Sequence, residues 1–337
     1  TDKAMSEYNP KSASIIVMDA QNGEILGMSI KPSFNLNEIP FDDIDLLNKL
    51  GRNTLISDSY EPGSTFKILT ATANVEEYGK GNKNAFSETH IFSSSRYRYV
   101  EGSKIKCWST HDNGKHANEN LGEALNNSCN PIFVDIALSL KKDCFYRYID
   151  ILGYGKCTGI DLNGEAQGMV LPKQSIQNSD LARISFGQTI ACTPLQLLSA
   201  TATMINGGYK ITPHLLKEVY SKNGSVSVKY NTENKGRVIS EKTSKIIAKY
   251  LENVVENGSG KSCYIEGYRV GGKTGTAQKY ENGVITHGKY VMSFIGANIL
   301  NAIEEQRYFD PETVLNAFIE ALSDIKPNEN VFDKTWI

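Results

Sequence analysis

Residues 60–73 read Tyr60-Glu61-Pro62-Gly63-Ser64-Thr65-Phe66-Lys67-Ile68-Leu69-Thr70-Ala71-Thr72-Ala73. Pro62 and Gly63 punctuate a turn, and the small and apolar residues after them predict a buried helix with a serine at its start. Ser64 and Lys67 stand three apart, which places both side chains on one face of that helix. A serine hydroxyl alone is a poor nucleophile near neutral pH and needs a base within hydrogen-bond reach. A lysine buried beside it can serve, because desolvation disfavours the ammonium form. Backbone N–H groups at the helix start can help to hold a developing oxyanion.

The spacing alone is weak. Ser-x-x-Lys recurs at Ser139–Lys142 and Ser323–Lys326 on helix faces that read as solvated, and Ser-x-Asn recurs at Ser33–Asn35 and Ser221–Asn223 in polar turns. Ser64 differs by belonging to an ordered set. Ser128-Cys129-Asn130 follows at the corner between two expected helices (119–126 and 131–141), and Lys273-Thr274-Gly275-Thr276 follows on an expected strand. Penicillin-binding proteins and class A β-lactamases carry this trio. In it Ser128 can relay a proton to a leaving amine, and the amide of Asn130 can orient a peptide group. Lys273 offers a positive charge to a carboxylate and helps to keep Lys67 neutral. Thr274 and Thr276 present hydroxyls to that carboxylate, and the Thr276 N–H can complete an oxyanion hole. Gly275 is expected to let the substrate backbone approach the strand.

Outward from these motifs, residues 14–19 and 24–30 predict a hairpin around Gln21-Asn22-Gly23. Thr193-Pro194-Leu195-Gln196-Leu197 opens an apolar helix that Gly207-Gly208 closes. Residues 268–279 and 289–299 predict adjacent antiparallel strands joined through Asn282-Gly283, and 311–326 a last amphipathic helix. Strands at both ends with helices between them imply an α+β fold, an antiparallel sheet flanked by helices with a mostly helical lobe. Residues 1–300 are read as one domain and 301–337 as a helical segment packed on it.

The stretch Tyr60–Lys67 resembles the active-site signature of class B penicillin-binding proteins. Asn127-Ser128-Cys129-Asn130-Pro131 and Gly271-Gly272-Lys273-Thr274-Gly275-Thr276-Ala277-Gln278 resemble their second and third motifs. Val17-Met18-Asp19 and Gly23-Glu24-Ile25-Leu26 are similar to their first two strands, and Ile184-Ser185-Phe186-Gly187-Gln188 to another stretch. The likeness spans residues 9–298, and Cys107-Trp108, His116 and Ser128-Cys129-Asn130 resemble the Gram-positive sporulation or cell-division branch. It implies a penicillin-binding/β-lactamase-like transpeptidase fold and a serine D,D-transpeptidase that cross-links peptidoglycan stem peptides through an acyl-enzyme on Ser64. It further implies inhibition by β-lactams, no cofactor for the chemistry, and an extracytoplasmic, membrane-anchored protein with a membrane glycosyltransferase partner. The chain opens at Thr1 rather than Met and is expected to be a fragment. In one departure, Asn301-Ala302-Ile303-Glu304-Glu305-Gln306 stands where the family enters another apolar strand. A serine β-lactamase, with Glu165 as its weak candidate base, a D,D-carboxypeptidase, and a non-catalytic β-lactam sensor or scaffold are the competing functions.

A formal net charge of −2 argues against a nucleic-acid partner. Six cysteines in 337 residues are too few for a disulfide scaffold. Cys129 nevertheless sits inside the second motif, and Cys107, His111, Asp112 and His116 crowd into a short stretch upstream. Cys107, Asp112, His116 and Cys129, with His111 as the alternative ligand, could close a structural zinc tetrahedron. A Cys107–Cys129 disulfide or unpaired thiols are the other readings. Cys144, Cys157, Cys192 and Cys263 are read as structural, and His90, His214 and His287 lie away from other ligands in sequence.

Overall fold

The computed structural model describes residues 1–93, 95–111, 116, 118–281, 284–298 and 333–336. The chain opens with α1 (Asp2–Tyr8) and the hairpin β1 (Ser12–Met18) and β2 (Ile25–Lys31). Short helices α2 (Ile44–Leu50) and α3 (Thr54–Ser57) precede a single 3-10 turn at Gly63–Phe66, which runs directly into α4 (Lys67–Gly79). A ribbon of β3 (Tyr97–Val100) and β4 (Ser103–Lys106) comes before α5 (Leu121–Asn127), α6 (Asn130–Ile151), α7 (Asn178–Ile184) and α8 (Pro194–Ile205). Two small ribbons follow, β5 (Tyr209–Ile211) with β8 (Asn234–Arg237) and β6 (Glu218–Tyr220) with β7 (Val226–Lys229). Then come α9 (Glu241–Asn257) and three strands, β9 (Val270–Glu281), β10 (Val284–Asn298) and β11 (Asp333–Trp336).

The main sheet has the order β2-β1-β11-β10-β9. Both expected antiparallel pairs form, with Val17 opposite Gly27 and Val291 opposite Ala277. Between them lies β11, parallel to both neighbours, with Thr335 opposite Ser12 and Val291. The sheet is thus antiparallel except at this strand. The expected helix 311–326 lies outside the described residues. Side chains alternate along β10, so Met292 packs with Ala4 and Ala13 while Ile295 joins the core of the helical lobe.

At the centre of that lobe, α4 is buried from Lys67 to Glu77 on every face and packs against α5, α6, α8 and α9. Its two carboxylates are satisfied by neighbours. Glu76 accepts the Ser240 N–H (3.0 Å) and hydroxyl (2.7 Å) at the start of α9, and Glu77 accepts the Tyr148 hydroxyl at 2.7 Å. Capping boxes at Asn120/Glu123 and Thr193/Gln196 start α5 and α8. The expected end of α6 at residue 141 corresponds to a break: Lys141 has φ 68° and ψ 159°, after which the helix resumes.

Candidate active site

The 3-10 turn lifts Ser64 to the tip of α4, with Lys67 one turn below it. Gly63 makes this possible through φ 54°, and a Cβ there would meet the Thr276 carbonyl oxygen at 2.8 Å. The turn is therefore pressed against β9. Gly275 serves the same contact: a Cβ on it would meet Ser293 Oγ at 2.6 Å and the Pro62 carbonyl at 2.9 Å. Its glycine is required by the chain's own packing, besides any approach by substrate.

On the other side, α5 ends at Ser128, which adopts the left-handed conformation (φ 55°, ψ 42°), and α6 begins at Asn130. A non-glycine residue held there is strained. The result is that Ser128 turns both its carbonyl and its hydroxyl toward α4. Lys67 Nζ lies 3.0 Å from Ser64 Oγ, 2.8 Å from Ser128 O, 2.9 Å from Ser128 Oγ and 2.6 Å from Asn130 Oδ1. Burial pushes the Lys67 ammonium down to about 7, against the opposing charges of Cys107, Cys129 and Glu119. A neutral amine donates two hydrogens and accepts one. Donation to Ser128 O and Asn130 Oδ1 leaves its lone pair for a hydroxyl proton.

Lys273 on β9 is fully buried, with Nζ 3.3 Å from Thr274 O and 3.4 Å from Ser259 Oγ. Burial first, and then the charge of Lys67, hold its ammonium well below the usual lysine range. Thr276 is exposed and Thr274 half-buried on the same strand. The second motif thus reaches Lys67 through direct hydrogen bonds, and the third packs its backbone against the turn that carries Ser64.

Behind the second motif, Cys107, His111, His116 and Cys129 converge, with their ligand atoms all within 4.8 Å of one another. The two sulfurs are 4.0 Å apart, Cys107 Sγ is 3.8 Å from His116 Nδ1, and Cys129 Sγ is 3.9 Å from His111 Nε2. Both thiols are free. Hydrogen bonding from Cys129 and both imidazoles favours a thiolate on Cys107, while Cys129 is pushed up by the same pairing and by burial. Asp112 lies outside the described residues, and the alternative ligand His111 is one of the four. His90 packs against Phe86 and Phe92, and His214 against Tyr230, away from this cluster. The His287 side chain is outside the described residues. Cys192 and Cys263 are buried, Cys144 is half-buried and Cys157 exposed.

Two further residues join the site without any motif to announce them. Glu119, 3% exposed, accepts the Asn127 side-chain amide at 2.5 Å next to Ser128. Its Oε2 is buried with no partner among the described residues, and burial pushes the carboxyl up. Ser259, just past α9, contacts Lys273. Only the place of Glu119, three residues after His116, could have drawn notice. Trp108 stands 67% exposed, its Nε1 donating to Asn127 O at 2.9 Å. Glu165 is engaged elsewhere: its Oε1 accepts the Thr158 N–H (2.7 Å) and hydroxyl (2.6 Å) within its own loop.

A family model described as the penicillin-binding protein transpeptidase domain matches residues 13–301. Stage V sporulation protein D of Bacillus subtilis is 38% identical over 296 residues, 88% of this chain and 44% of that protein. Peptidoglycan D,D-transpeptidase FtsI of Escherichia coli is 28% identical over 316 residues, 94% of this chain and 48% of that protein. The chain thus spans less than half the length of these relatives. Among solved structures, penicillin-binding protein 3 of Mycobacterium tuberculosis complexed with aztreonam superposes with a TM-score of 0.78 at 25% identity, over 88% of this chain and 65% of that one. With its motifs drawn together around Ser64, the chain belongs to the penicillin-binding protein transpeptidase family.

Proposed function

We propose that this chain is a serine D,D-transpeptidase domain that cross-links peptidoglycan stem peptides through an acyl-enzyme on Ser64. The observation that carries this reading is the Lys67 amine, buried, pushed down to about 7, and in contact with Ser64, Ser128 and Asn130 together. Neutral Lys67 takes the Ser64 proton as Oγ attacks the carbonyl carbon of the penultimate D-Ala. The peptide N–H groups of Ser64 and Thr276 hold the oxyanion. As the C–N bond breaks, Ser128 passes its proton to the departing D-Ala amine and takes the one held on Lys67, 2.9 Å away, with Asn130 orienting the peptide and Lys273, Thr274 and Thr276 receiving its terminal carboxylate. An acceptor amine then attacks the Ser64 ester, releasing the cross-linked peptide and returning the proton to Ser64. A β-lactam would acylate Ser64 by the same first half. The engagement of Glu165 within its own loop favours transfer over rapid hydrolysis of the acyl-enzyme.

The test supplies a peptide ending in D-Ala-D-Ala together with a D-amino acid acceptor. Release of D-Ala with formation of the exchanged peptide is expected, and loss of both in Ser64→Ala. Release with water as the only acceptor would instead make the chain a carboxypeptidase. In the cell we place it outside the cytoplasm, tethered by a membrane anchor and working beside a membrane glycosyltransferase.

The chemistry needs no cofactor, and we assign the Cys107, His111, His116 and Cys129 cluster to a structural zinc. Four ligands at zinc–sulfur distances near 2.3 Å and zinc–nitrogen distances near 2.0 Å would stand about 3.3–3.8 Å apart. Three of the separations, 3.8–4.0 Å, stand slightly wider than that tetrahedron, with all four ligand atoms within 4.8 Å of one another, and the two sulfurs are far from the roughly 2.05 Å of a disulfide. Such a closed site would pin the 106–111 loop to the Ser128 turn. Metal analysis of protein purified without added zinc should find close to one equivalent, and less than half an equivalent would remove the assignment.

A further inference from the structure

Strand β9 meets the end of α9 through one hydroxyl. Ser259 Oγ accepts from Lys273 Nζ and from Thr274 Oγ1, each at 3.4 Å. These contacts are longer than the usual 2.7–3.2 Å of a well-formed hydrogen bond, so they orient the groups without saturating them. Lys273 is buried, yet among the described residues no carboxylate pairs with it. Its other contact is the Thr274 carbonyl, at 3.3 Å. Ser259 is exposed, and its own hydroxyl hydrogen has no acceptor among the described residues. An amine and two hydroxyls, all donors, therefore converge where nothing in the described chain accepts from all three.

The backbone under Ser259 is firmly placed. Its N–H donates to Asn126 O at 3.0 Å, and the N–H groups of Gly258 and Gly260 both donate to Val254 O at 3.0 Å. A Cβ on Gly258 would come within 2.9 Å of Asn126 Cα, so only glycine lets the loop lie this close to α5. The loop is thus fastened to the helix that ends in Ser128, while its hydroxyl faces the strand that carries Lys273. It bridges the two walls of the groove.

We propose that Ser259 is a specificity-determining residue that donates a hydrogen bond to the carboxylate of the substrate, completing a cradle with Lys273 and Thr274. This rests on the transpeptidase reading above. A carboxylate offers only acceptors and so satisfies all three donors at once, whereas a neutral ester or amide leaves at least one unmatched. Ser259 takes no part in proton transfer. It acts on which ligands enter.

The test compares acylation of Ser64 by a penicillin with a free carboxylate and by the methyl ester of the same penicillin, in the native chain, Ser259→Ala and Ser259→Thr. Hydrogen bonds to charged groups are substantial, so Ser259→Ala should slow the free acid roughly tenfold. The already slower ester should change less than about twofold, and Ser259→Thr should restore the acid to within about threefold. Equal slowing of acid and ester would make Ser259 merely structural, and unchanged reaction of the acid would show that its hydroxyl touches no ligand; either result overturns the proposal. If the native chain reacts with neither compound, the transpeptidase reading itself fails, a result distinct from these.

Discussion

Lys67 should set the pH dependence of acylation. Its ammonium loses protons at about 7 rather than at 10.5 because its ε-nitrogen is buried among uncharged oxygens. At pH 7 an ordinary lysine is free base in only about one molecule in 3,000, and Lys67 in about half. The fold therefore raises the population of the competent base roughly a thousandfold, equivalent to about 5 kcal/mol of differential solvation. The sign follows from the direction of the shift. Below its folded value Lys67 is charged and cannot accept the Ser64 proton; above it the amine is neutral and the rate should level off. Stopped-flow acylation by a chromogenic cephalosporin between about pH 5 and 9 should rise tenfold per unit on the acid side and bend near 7. Lys67→Arg, which cannot give up its proton, should lose at least about a thousandfold. A flat profile, or a midpoint above about 9, would refute the assignment of Lys67 as base.

Other consequences concern the surroundings of that amine. Gly63→Ala should destabilise the chain by about 2 kcal/mol or more and abolish labelling by a fluorescent penicillin, because it combines a positive φ with a clash on Thr276. Chemical unfolding with wild-type stability would contradict the packing of the Ser64 turn on β9. Cys129→Ala should lose bound zinc and slow acylation about tenfold as the Ser128 turn loosens, and chelation of the native chain should do the same. Metal analysis and acylation rates before and after chelation would test it, and an unchanged rate in zinc-free protein would separate the cluster from the groove. Glu165→Gln should leave the lifetime of the acyl-enzyme unchanged. A tenfold longer lifetime would identify Glu165 as a deacylating base and favour the hydrolase reading.

The parts of this site that could be read from sequence are those that ride on local geometry. Ser64 and Lys67 face one another because residues three apart on a helix do so. Ser128 and Asn130 flank a helix corner, with Pro131 in the first turn of the second helix. The β9–β10 pair is legible as two neighbouring strands joined through Asn282-Gly283. The Cys107–Cys129 approach was foreseen as a cluster, but its ligand set had to wait for the fold, which put His111 among the four. What stayed hidden depends on contacts between segments far apart in the chain. Ser259 reaches Lys273 only because its N–H pairs with Asn126, and Glu119 matters only because Asn127 leans on it. The packing of Pro62 and Ser293 against Gly275, beside the room expected there for substrate, is likewise a contact between distant segments. Nothing local marks the slot between β1 and β10 for residues 333–336, because a parallel neighbour can arrive from any distance in sequence. The break at Lys141 likewise has no glycine or proline to signal it.

The most direct trial of the account is intact-mass spectrometry of the penicillin-treated chain, followed by proteolysis and peptide mapping. One adduct per chain is expected, on the peptide that contains Ser64 and with the mass of the whole penicillin, and none on Ser64→Ala. An adduct on any other residue, or a Ser64→Ala chain that labels as well as the native one, would contradict it.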